Sequence, residues 1–100
     1  MRIFSILIAG AVTLAAADFK PTAQDSIVAK EAKAELVWAA GSFTEGPTLG
    51  PKGVIFFSDI GMRTMRFDPA SGKTTVFREP SGKANGLTMD RKGNLIACEG

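Results

Sequence analysis

Gly46-Pro47-Thr48-Leu49-Gly50-Pro51-Lys52-Gly53-Val54-Ile55-Phe56-Phe57-Ser58-Asp59 is the stretch on which the fold turns. It returns forty residues later as Gly86-Leu87-Thr88-Met89-Asp90-Arg91-Lys92-Gly93-Asn94-Leu95-Ile96-Ala97-Cys98-Glu99. The two align without a gap. Gly46/Gly86, Thr48/Thr88, Lys52/Lys92 and Gly53/Gly93 are identical pairs, and Leu49/Met89 and Ile55/Leu95 are like for like. Two unrelated hairpins would share part of this pattern, since hairpin turns reuse Lys-Gly. A repeat of about 40 residues with four strands is the period of a β-propeller blade.

The first repeat supplies those strands in order. Gly46 to Leu49 reads as the innermost, Val54 to Ser58 as the second, Thr64 to Asp68 as the third and Lys73 to Phe77 as the outermost. Each is a short run with β-branched or aromatic residues, bounded by Gly, Pro, Asp or Ser. Asp68-Pro69-Ala70-Ser71-Gly72 places Pro and Gly where a tight turn wants them. Leu36-Val37-Trp38 stands before the first repeat as Val76-Phe77 stands before the second. It is therefore expected to be the outer strand of another blade, pairing the two ends of the chain and closing a ring without open edges.

Upstream the character differs. Met1-Arg2, an apolar run from Ile3 to Leu14 and Ala15-Ala16-Ala17 before Asp18 follow the order of a cleaved export signal. The run is shorter than the roughly 20 residues that span a bilayer, so no stable membrane anchor is expected, and the location implied is periplasmic or secreted. Residues 18–34 are polar and alanine-rich, without sustained periodicity, and read as a leader with room for a helical turn after Asp25-Ser26.

Composition narrows the chemistry. Of the 100 residues 45% are apolar and 22% charged, which is globular rather than disordered. Twelve basic residues, Arg2 of the expected signal among them, stand against 10 acidic ones without clustering, so nothing points to nucleic acid. Histidine is absent, which excludes a Ser-His or Cys-His pair within these residues. Cys98 is the one cysteine and cannot close a disulfide within the chain; it reads as a small core residue. Trp38 and the phenylalanines at 43, 56, 57, 67 and 77 fall at strand spacing and read as core.

The shift of forty also lays Glu45 over Asn85, each directly before a glycine at the head of an inner strand. In a propeller those heads surround the central channel at one end. A carboxylate and an amide oxygen would then face a common point, as a hard divalent cation requires, with glycine allowing close backbone approach. The same residues at the same places also suit turns that bind their own backbone. Asp59 and Glu99 form a second equivalent pair one loop later, bordering the same end, where a solvated acid capping a turn is the simpler role. Lys83, two residues before Asn85, would reach a polar substrate from the rim or serve as a surface lysine.

Further residues carry a resemblance. Phe43-Thr44-Glu45-Gly46-Pro47, Phe57-Ser58-Asp59-Ile60, Arg66-Phe67-Asp68-Pro69, the run from Lys73 to Gly82, Ala84-Asn85-Gly86-Leu87 and Leu95-Ile96-Ala97-Cys98-Glu99 together resemble the opening of the senescence-marker-protein and gluconolactonase-like family, in its gluconolactonase branch. The likeness runs from Ala34 to Gly100. It implies an all-β, six-bladed β-propeller of which this chain holds the N-terminal closing strand, the first blade and the start of the second. It implies a lactonase in the full-length protein, a carboxylic ester hydrolase taking a small-molecule sugar lactone, with a divalent metal cation in the central channel: Ca most simply, or Mg, Mn or Zn. The Glu of the family's Glu-Gly-Pro motif binds that metal, and Glu45 matches it. An Asn at the second strand head contacts substrate or ligates the metal, and Asn85 matches it. A basic residue two positions earlier holds substrate in some members, and Lys83 stands there in place of arginine. Leu49 departs from the family's usual Trp and Gly100 from a frequent His, which leaves the substrate open. A phosphotriesterase or other esterase on the same metal-centred propeller, or a non-catalytic propeller binding a carbohydrate or a protein, fits the same fold.

Overall fold

The computed structural model describes residues 26–100, in two units that divide between Leu36 and Val37. The expected signal, Met1 to Ala17, and residues 18–25 of the expected leader lie outside the described residues. The described part of the first unit holds turn residues at 26–27 and 30–31, the second with Ala32 N–H donating to Ala29 C=O at 2.9 Å, and no helix. Among the described residues no helix is long and apolar enough to cross a membrane.

The second unit is all-β. Strands β1 (Thr44–Leu49), β2 (Ile55–Asp59), β3 (Arg63–Asp68) and β4 (Lys73–Arg78) form one antiparallel sheet in sequential order. β5 (Leu87–Met89) and β6 (Leu95–Ala97) form a second, two-stranded antiparallel sheet. The four strands expected in the first repeat are these four, with the inner one beginning two residues earlier, at Thr44. Asp68 makes the β3–β4 turn by accepting Ala70 N–H at 3.0 Å, and Gly72 N–H closes it on the Asp68 carbonyl at 2.8 Å.

The internal repeat is a repeat of backbone as well as of letters. Thr48 faces Phe56 and Leu49 faces Ile55 across β1–β2; forty residues on, Thr88 faces Ile96 and Met89 faces Leu95 across β5–β6. Gly50 N–H donates to Val54 C=O at 2.8 Å, and Asp90 N–H to Asn94 C=O at 3.0 Å. Gly53 and Gly93 end the two turns at φ +78° and +83°, a backbone region that L side chains avoid, which accounts for the glycine in both.

Both faces of the four-stranded sheet are packed. Phe56 is buried and meets the edge of Phe77 at 4.8 Å between centroids. Buried Thr64 and Phe77 line a groove of about 330 Å³ whose opposite wall is Gly93, Asn94, Leu95 and Ala97 of the second sheet. Phe57, whose side chain points the other way by strand alternation, meets Trp38 in a tilted ring contact at 5.6 Å between centroids. The second sheet stands against one face of the four-stranded sheet, as a neighbouring blade would, and Trp38 stands against the other.

Leu36-Val37-Trp38, expected as an outer strand pairing with the far end of the protein, lies in no strand among the described residues. A strand needs a ladder partner, and none of the described strands pairs with this segment. Trp38 is held instead by ring contact with Phe57 and by the Arg63 guanidinium 5.7 Å from its ring centroid.

Candidate functional site

β1 and β5, the two inner strands, lie next to each other in space, and their heads meet. Gly46 sits at φ +60°, and a Cβ placed there would fall far inside contact distance of the Asn85 carbonyl oxygen and 3.3 Å from Gly86 Cα. Only glycine permits this approach. The same carbonyl accepts a hydrogen bond from Ser58 Oγ at 2.9 Å, and Ser58 is fully buried on β2, directly opposite Glu45 in the β1–β2 register. Asn85 N–H donates to Cys98 C=O at 3.2 Å within the second sheet. Asn85 is thus tied to its own sheet through N–H and to the neighbouring one through C=O.

The structure brings Glu45-Gly46 and Asn85-Gly86 together as the spacing required. Glu45 is half-buried, and among the described residues its carboxylate makes no hydrogen bond or ion pair. The Asn85 amide is turned onto its own chain, with Oδ1 accepting Gly86 N–H at 2.6 Å, so the local-turn role is present at this residue. An amide oxygen has a second lone pair, and the Asn85 NH2 group makes no bond among the described residues. Lys83 is exposed at φ +57° on the loop that carries Asn85, also without a partner among the described residues. That loop is anchored beneath by Ser81 and Ala84, both fully buried, with Ser81 N–H donating to Met62 C=O at 2.9 Å.

Asp59 is a buried acid rather than a solvated cap, whereas Glu99 is exposed. Asp59 is 2% exposed. Its Oδ1 accepts Ser42 N–H at 2.9 Å, Ser42 Oγ–H at 3.2 Å and Phe43 N–H at 3.3 Å, while Oδ2 receives Arg63 Nη2 at 2.5 Å. The Arg63 guanidinium first, then the Phe43 and Ser42 donors, hold this carboxyl below the usual aspartate range against the opposing effect of burial. Asp59 therefore braces the segment that leads into Glu45. Glu99, its repeat equivalent, pairs with Arg78 of β4 and packs against Gly82, the residue forty after Ser42. Each acid supports the approach to its inner strand, a role that composition and spacing did not reveal because Arg63 and Arg78 reach them only in the folded sheet.

As a cation site the described residues are suitable in kind and incomplete in number. A carboxylate without a partner and an amide oxygen are the hard donors that Ca²⁺ or Mg²⁺ takes, and Gly46 lets the backbones of the two strand heads meet. No group of three or more His, Cys, Asp or Glu that could hold a metal occurs among the described residues. Such cations take about six to eight oxygens, so Glu45 and Asn85 would supply a part of the set.

No protein-family model matches the chain, and no curated protein does. Among solved structures it is similar to a gluconolactonase from Xanthomonas campestris, described as important in glucose secondary metabolic pathways, with a TM-score of 0.59 and 23% sequence identity. The match covers 63% of this chain and 21% of that one, so the chain spans about a fifth of its neighbour's length. At this identity the likeness carries the fold: described residues 37–100 are a run of antiparallel β-sheet with no α-helix, similar to part of a gluconolactonase propeller.

Proposed function

We propose that the chain is the N-terminal part of an exported, six-bladed propeller lactonase that hydrolyses a sugar lactone with a divalent cation, Ca²⁺ most simply, in its central channel. The observation that supports this reading is the close backbone approach of Gly46 to Asn85-Gly86 at the heads of two adjacent strands, next to a Glu45 carboxylate that has no partner among the described residues. The likeness to a gluconolactonase fold supports it.

Glu45 and Asn85 would hold the cation from one side of the channel. Bound there, the cation would supply Lewis-acid polarisation of the lactone carbonyl and a lowered pKa for water. Asn85 Nδ2, without a partner among the described residues, would donate to a ring hydroxyl, and exposed Lys83 would meet the carboxylate that ring opening releases. No histidine is needed when a carboxylate accepts the proton.

The full-length protein should open aldonolactones, and chelation of divalent cations should abolish the activity until the metal is restored. Turnover of organophosphate triesters alone would place the protein among phosphotriesterases instead. Absence of both activities together with retained carbohydrate binding would make it a binding propeller.

A further inference from the structure

Ser58 has a buried hydroxyl where packing alone would accept an apolar side chain. The strand Ile55-Phe56-Phe57-Ser58-Asp59 turns Phe56 and Ser58 to the same side by alternation, and both are buried. Phe56 packs there on Phe77, whereas Ser58 donates across the gap between the sheets to the Asn85 carbonyl. That carbonyl is the point at which Gly46 leaves room.

We infer that Ser58 is a positioning residue of the site: its hydroxyl on the Asn85 carbonyl, with the space left by Gly46, sets where the Asn85 side chain stands relative to Glu45. The inference rests on the reading of Glu45 and Asn85 as site residues and adds to it the element that couples them. Three constraints converge. Ser58 opposes Glu45 in register, so the two move as one ladder pair. Its Oγ fixes the carbonyl of Asn85, and Cys98 C=O fixes the amide of the same residue. With both backbone groups held, the Asn85 side chain has only its own torsions left, and the Gly86 N–H bond to Oδ1 narrows these further.

Removing the hydroxyl leaves a carbonyl without its partner between two sheets, and the chain relieves this by letting the strand head drift toward water. The site would then lose its geometry while the sheets remained paired. Ser58 touches no substrate in this account, so its effect must pass through Asn85.

The test is a double-mutant cycle in the full-length protein, with Ca²⁺ as the calorimetric probe and the Asn85 side-chain and Gly86 amide resonances as a readout independent of the metal. Ser58→Ala should shift both resonances and weaken Ca²⁺ binding about tenfold, and it should change Ca²⁺ binding less than about twofold in an Asn85→Ala background. Ser58→Thr, which keeps the hydroxyl, should restore the resonances. Should the alanine variant fail to fold, Ser58→Cys, which keeps the volume with a weak donor, takes its place in the cycle. Resonances unmoved by loss of the hydroxyl would overturn the inference. So would an equal loss of Ca²⁺ affinity in both backgrounds, the result of a merely structural serine. If Asn85→Ala and Glu45→Gln leave Ca²⁺ binding intact while Ser58→Ala still moves the resonances, the positioning stands and the metal-site reading falls.

Discussion

Arg63 reaches four residues back across the β2–β3 turn to place its Nη2 2.5 Å from Asp59 Oδ2, while Asp59 Oδ1 gathers the backbone of Ser42 and Phe43. One buried carboxylate thus joins the sheet to the segment that delivers Glu45. The guanidinium also lies over Trp38, so a ring, a cation and an anion are stacked behind the head of β1.

This arrangement predicts an acid dependence with a definite sign. The folded Asp59 carboxyl titrates below its unfolded value of about 3.9. Its contribution is therefore fully present above that value and disappears as pH falls through the lowered folded one. Asp59→Asn should cost about 2 kcal/mol at pH 7, because Arg63 is left beside a neutral amide, and the gap between the two proteins should shrink toward pH 2. Asp90 is also lowered, chiefly by the Asn94 side chain, but it titrates in both proteins and cancels in the comparison. Denaturant unfolding across pH checks this; a gap of equal size at pH 7 and pH 2 would remove Asp59 as its source.

Glu45→Gln should leave the fold intact, since the carboxylate makes no bond among the described residues whose loss would be felt. In the full-length protein it should weaken divalent-cation affinity at least about tenfold, roughly 1.4 kcal/mol, and lower lactone turnover with it. Calorimetry showing unchanged metal affinity would rule Glu45 out as a ligand.

Gly46→Ala should act on both stability and site. An alanine at φ +60° is strained by about 1 kcal/mol, and its methyl would occupy the place of the Asn85 carbonyl, adding about 1–3 kcal/mol of overpacking. Thermal unfolding should shift down by several degrees and cation binding should weaken in parallel. An alanine variant as stable as the parent would mean that β1 and β5 do not meet as described.

Residues 37–100 produced as an isolated fragment should lack a cooperative melt. Phe43, Leu49, Met62, Phe77 and Ile96 are each half exposed or more, and repeat architectures need about three units to bury a continuous core. The fragment should bind a hydrophobic dye and no divalent cation tightly. A sharp calorimetric transition would show that the four-stranded sheet and β5–β6 suffice as a domain.

Strands, turns and the forty-residue repeat were legible in the sequence because they depend on local quantities. Alternation of apolar residues, glycine at positive φ and Pro or Asp at turns act within a few residues, and the pairing of Thr48 with Phe56 recurs in Thr88 with Ile96 at the spacing the letters predict. The juxtaposition of Glu45 and Asn85 was legible too, since equivalent positions in adjacent repeats fall at equivalent places. Leu36-Val37-Trp38 read as an outer strand, and strand formation depends on a partner that local pattern does not supply. Only the tertiary structure decided that Asp59 is a buried brace rather than a solvated cap, that Asn85 Oδ1 turns onto Gly86, and that Ser58 ties the two strand heads together. Each of these depends on a group distant in sequence, or on a side-chain torsion chosen in the folded environment, and neither leaves a mark in the order of the residues.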